Sequence, residues 1–114
     1  MRDKKQAAAE LLEKNLNADT LWEAMSLLQN EPFYTAKGLE FRYVIRGNEM
    51  FVDRKQKSKS ITRSSAEIAL ERIREQIREG EPLPALITGP KKLGVFGASY
   101  LYPVFLELKI IRAR

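Results

Sequence analysis

Five basic residues fall within ten positions of this chain, Arg54, Lys55, Lys57, Lys59 and Arg63, with no acid between them and with serine and threonine hydroxyls interleaved. Lysine and arginine are obligate hydrogen-bond donors, and a hydroxyl without a neighbouring base is a poor nucleophile. The chemistry such a set supports is therefore anion binding, above all of phosphate. Ser64 followed by Glu67 has capping-box spacing, with Thr62 as the alternative cap, so the run ends where a helix begins. A helix start carries free N–H groups and partial positive charge, which favour an anion. Lys55, Lys57, Lys59, Arg63 and Ser64 are the resulting candidate phosphate contacts. The same composition also describes a solvated loop between a strand and a helix.

Charge is distributed in blocks. Residues 37–64 hold eight Lys/Arg against three Asp/Glu, and residues 89–114 hold five against one. The two other blocks, residues 1–36 and 65–88, are slightly acidic, and the whole chain carries +5. Lys91 and Lys92 add candidate phosphate contacts in the second basic block. If the two blocks share a face, they form a patch suited to nucleic acid or another anionic surface.

The chain contains neither Cys nor His. That removes disulfides, thiolate catalysis, the commonest general base and the usual zinc ligands. No pair of acids stands in an apolar setting, so neither catalytic nor metal-ligating residues are assigned, and no cofactor is expected. The glycines at 89, 94 and 97 match neither the dinucleotide-binding nor the P-loop spacing. No apolar run reaches the roughly 18 residues of a membrane span, and the N-terminus lacks a signal-peptide core, so the expectation is a cytoplasmic protein. The 114 residues suit one small domain with a modest core.

The basic run needs a scaffold, and the preceding residues supply one. Leu39, Phe41, Tyr43 and Ile45 alternate with polar residues, Gly47-Asn48 suits a two-residue primed turn, and Met50 and Val52 resume the alternation. This predicts a hairpin over about 39–54 in which Arg42 faces Asp53, Tyr43 faces Val52, Val44 faces Phe51, Ile45 faces Met50 and Arg46 faces Glu49. One face is then apolar, and the other sets opposite charges across from each other.

Helical spacing predicts the rest. Asp3 to Leu16 forms a helix with a small, Ala-rich face that packs loosely. Thr20 to Gln29 forms a second, capped by Asn17 or Asp19, with Leu21, Ala24, Met25 and Leu28 inward and Trp22 as a core anchor. Asn30-Glu31-Pro32 ends it. Residues 64–79 form a long helix with Ala66, Ala69, Leu70, Ile73 and Ile77 buried and an outer face of mixed charge. Gly80 and two prolines stop it. Residues 99–110 form a C-terminal helix. Together these elements make an α+β domain in which Trp22, Leu28, Ile73, Ile77, Phe105 and Leu108 cover the hairpin.

The segment from Pro90 to Leu108 also has the layout of a helix-turn-helix, with Gly94-Val95-Phe96-Gly97 as the turn and Ser99 and Tyr100 placed for base readout. A first helix of barely one turn and Pro103 inside the second count against it. An ordinary core helix entered through a glycine loop is the other reading. The functional expectation is a small non-enzymatic nucleic-acid-binding protein, with duplex DNA favoured and a homodimer allowed. The alternative is an interaction module that docks an acidic protein through its basic surface and Phe33, Tyr34, Phe96 and Tyr102.

Overall fold

The hairpin forms in the expected register. In the computed structural model, which describes residues 3–54 and 57–114, β2 (Glu40–Arg46) pairs with β3 (Glu49–Arg54) through all five predicted partners, from Arg42 and Asp53 to Arg46 and Glu49. Alternation drives this, because Phe41, Tyr43, Met50 and Val52 all reach the core from one face. Gly47 adopts the left-handed conformation the turn requires, and its carbonyl accepts a 2.8 Å hydrogen bond from Trp22 Nε1. The core anchor thus also holds the hairpin tip.

The sheet is larger than a hairpin. A short β1 (Phe33–Tyr34) pairs with β2, and a further strand, β4 (Lys57–Thr62), pairs antiparallel with β3 along six residues. The result is a four-stranded antiparallel meander in the order β1-β2-β3-β4. β4 corrects the expectation of a loop, since residues 57–62 of the basic run are strand. Of its six residues only Ile61 is buried, so no alternation of hydropathy marks it.

Among the described residues four α-helices flank the sheet, so the fold is α+β. α1 (Lys4–Lys14) and α2 (Ala18–Leu27) begin at Asp3 and Asn17, whose side chains accept from Gln6 N and Thr20 N, each at 2.9 Å. Although α1 has a small apolar face, Ala8 and Leu12 are fully buried. α3 (Arg63–Arg78) is capped by Thr62, which accepts from Ser65 N at 3.4 Å. The capping box at Ser64 does not form, because Ser64 already lies inside the helix and Glu67 accepts from Arg63 Nε instead.

α4 (Ala98–Glu107) is entered from a 3-10 turn, Pro90–Leu93, through Gly94 and Gly97, both left-handed. It accommodates Pro103 and ends three residues before the expected boundary at 110, where Lys109 takes a positive φ. The chain then forms β6 (Ile111–Arg112), parallel to β5 (Ala85–Leu86). This small second sheet ties the end of the chain to the segment that follows α3. Trp22, Leu28, Ile73, Phe105 and Leu108 are buried in the common core, with Ile77 packed at its edge.

Candidate functional site

A cleft of about 630 Å³ opens where the two basic blocks meet. The β1–β2 connection contributes Lys37, β3 contributes Arg54, β4 contributes Lys59, the 3-10 turn contributes Lys91 and Lys92, and α4 contributes Ser99 and Tyr100. Five cations thus line it with the hydroxyls of Thr35, Thr88, Ser99 and Tyr100, and no carboxylate appears among the described lining residues. None of the five is ion-paired among the described residues. Like charges gathered without a counterion repel one another, so an anion bound here relieves repulsion as well as gaining attraction.

Register explains how the strands feed this cleft. Lys59 lies across from Val52 and Lys57 across from Arg54, so the basic side chains share the core-facing side of the sheet. Of these, Arg54 and Lys59 line the cleft together with Pro90, Lys91 and Lys92 of the 3-10 turn. On that turn Leu93 is fully buried and anchors the segment, while Lys91 and Lys92 remain exposed. The Tyr100 ring is only 5% exposed and meets Phe41 edge to face at 5.1 Å. Its hydroxyl reaches the cleft and accepts a 3.2 Å hydrogen bond from Arg54 Nη1.

The opposite face of the sheet has a different character. Arg42, Arg46, Glu49, Phe51, Asp53, Ser58 and Ser60 project there by alternation, mixing both signs. The expected cross-strand ion pairs do not form among the described residues: Arg42 Nη1 donates to the Asn30 carbonyl at 2.6 Å, and Glu49 accepts from the Ser60 hydroxyl. This face has no concentrated positive charge to offer a polyanion.

Of the expected phosphate contacts, Lys59, Lys91 and Lys92 come together in the cleft, joined by Ser99 and the Tyr100 hydroxyl. Lys57 is exposed on β4 but does not line the cleft, and Lys55 lies outside the described residues. Arg63 and Ser64 are elsewhere, in a hollow of about 560 Å³ that also holds Glu49 and Glu67. There the Arg63 guanidinium engages both Asp19 and Glu67 and lies 5.7 Å from the Trp22 ring centroid. Its hydrogen bond to Asp19, more than any other contact, holds its pKa above the ordinary value. Arg63 therefore links α2 to α3, with its charge already answered by carboxylates. Tyr100, expected to face bases, is instead part of the core with only its hydroxyl presented.

Sequence reasoning did not single out Lys37 or Arg54 for the cleft. For Arg54 a signal existed: continuing the hairpin alternation one step past Val52 puts it on the inner face. Lys37 had none, since it lies in a connection whose course depends on β1. The interface aromatics separate too. Phe33 and Tyr102 are buried, the latter donating to the Ile87 carbonyl at 2.6 Å, whereas Tyr34 and Phe96 are exposed.

Among the described residues no group of three or more His, Cys, Asp or Glu could hold a metal ion, and no helix is long and apolar enough to cross a membrane. Comparison with protein-family models, curated proteins and solved structures finds no match to this chain.

Proposed function

We propose that this protein binds nucleic acid, holding backbone phosphates in the cleft lined by Lys37, Arg54, Lys59, Lys91 and Lys92. The observation that carries the reading is the convergence of two sequence-distant basic blocks on one concavity free of described carboxylates. Lysine and arginine contacts to phosphate position a polynucleotide without reading its sequence. Thr35, Thr88 and Ser99 add neutral donors at the same wall. The mixed sheet face and the neutralised Arg63 hollow offer no competing site of comparable charge.

Fluorescence anisotropy of labelled random oligonucleotides, at roughly 50 and 200 mM salt, tests this directly. Five phosphate contacts predict an affinity loss on the order of a hundredfold or more between those salts. Absence of binding at the lower salt removes the reading.

A further inference from the structure

Phe96 is 69% exposed, more than any other large apolar residue described. It lines a second hollow, about 510 Å³, that shares Pro90, Lys91 and Ser99 with the cationic cleft, so the two run into each other. The ring is presented by a held turn. Leu93 is buried on one side, Gly94 and Gly97 take left-handed conformations, and Gly97 lies so close to Ile61 that a Cβ there would come within 2.6 Å of Ile61 Cδ1. The Arg72 guanidinium rests against Gly94, with only 3.0 Å to an added Cβ. An apolar ring thus stands in a hollow that adjoins the cationic cleft through Lys91.

Base accessibility decides which polynucleotide can use both features. In a duplex the bases are paired and stacked on one another, so no base face can lie on the exposed Phe96 ring and only the phosphates meet the lysines. A single strand can lower its phosphates between the lysines and turn an unstacked base onto the ring, which is how sequence-tolerant single-strand sites combine charge with aromatic platforms.

We propose that the cleft takes single-stranded nucleic acid, with phosphates on Lys59, Lys91 and Lys92 and a base stacked on Phe96. This rests on the nucleic-acid reading above and goes beyond it by selecting strand form and naming the stacking residue. The test is anisotropy with a labelled 12-mer of thymidine and a mixed-sequence 12-base-pair duplex, on wild type and Phe96→Ala, with thermal melts confirming that both proteins fold. The single strand is expected to bind about tenfold tighter than the duplex. Phe96→Ala should weaken it roughly tenfold while leaving the salt slope unchanged, because stacking carries no counterions. In Phe96→Trp affinity should be retained, and the new indole should be quenched on binding; Trp22, the sole native tryptophan, is buried.

Duplex binding equal to or tighter than single-strand binding, or an unchanged affinity in Phe96→Ala, overturns this inference while leaving nucleic-acid binding in place. Failure of both oligonucleotides to bind at low salt overturns the two together.

Discussion

Arg54 and Tyr100 meet at the floor of the cleft, where the guanidinium donates to the phenol oxygen across 3.2 Å. One residue ends β3 and the other sits in the first turn of α4, so this bond joins the two basic blocks of the chain. It also leaves the phenol proton free to donate to a bound anion. Tyr100→Phe keeps the ring against Phe41 and removes only the oxygen. We expect a stability loss of about 0.5–1.5 kcal/mol in urea unfolding and weaker oligonucleotide binding. A double-mutant cycle with Arg54→Ala should give a coupling above about 0.5 kcal/mol, and additive losses would show that the contact contributes nothing.

Lys59 and Lys91 come from different basic blocks yet line one cleft. Replacing both with alanine should reduce the slope of log affinity against log salt by about 1.5–2 and weaken all sequences alike. Arg63→Ala should leave that slope unchanged. Anisotropy titrations at four salt concentrations separate these outcomes.

Arg63 acts instead on stability, through Asp19, Glu67 and the Trp22 ring. Asp19 is almost wholly exposed, so that ion pair is well screened and contributes little. Adding the cation–π contact and the Glu67 pair gives an expected loss of about 0.5–1.5 kcal/mol for Arg63→Ala, smaller at high salt. Chemical unfolding at two ionic strengths measures both the loss and its screening.

Gly97 has φ +80°, and a side chain there would strike Ile61. Gly97→Ala should cost about 2–4 kcal/mol, from left-handed strain together with overpacking. Ile61→Ala is itself destabilising by about 2–5 kcal/mol because it leaves a core cavity. The double variant should lose at least about 1 kcal/mol less than the two losses combined, since the added methyl then has room. Strict additivity in thermal unfolding would mean that the turn does not pack on β4 in this way.

Burial pushes the Tyr43 phenol far above its ordinary pKa of 10.0. Above about pH 10 the unfolded chain releases this proton while the folded chain retains it, so stability falls as pH rises. Below that pH both states are protonated and the contribution is constant. Tyr43→Phe should lose about 1 kcal/mol at pH 7, where the 2.6 Å hydrogen bond to the Met25 carbonyl disappears, but should show a shallower decline between pH 9 and 11. Urea midpoints across that range provide the measurement, and an equally steep decline would point to another group.

Much of the fold is legible in the sequence. Phe41, Tyr43, Met50 and Val52 alternate strictly, and a one-residue slip would have put all of them in water, so the β2–β3 register followed from pattern alone. Ala66, Ala69, Leu70 and Ile73 recur at helical spacing and marked α3 in the same way. β4 was not legible, because Lys57 and Lys59 occupy positions on the core-facing side of the sheet where apolar residues would ordinarily stand, and only Lys59 of the two reaches the cleft. The two-residue strands β5 and β6 were too short for any period to register.

The sequence by itself set limits on the chemistry: with neither Cys nor His there is no thiolate, disulfide or imidazole chemistry, and the clustered lysine, arginine and hydroxyl side chains are of the types that suit anion binding. It also set the local elements, whose periods are written in neighbouring residues. Only the tertiary structure decided which cations act together. Lys37, Arg54, Lys59, Lys91 and Lys92 converge while Arg63, four positions after Lys59 in the same basic run, is turned away to Asp19 and Glu67. That selection depends on strand pairing and on the packing of the 3-10 turn and α4 against the sheet. Such contacts join residues distant in the chain, and no local period records them.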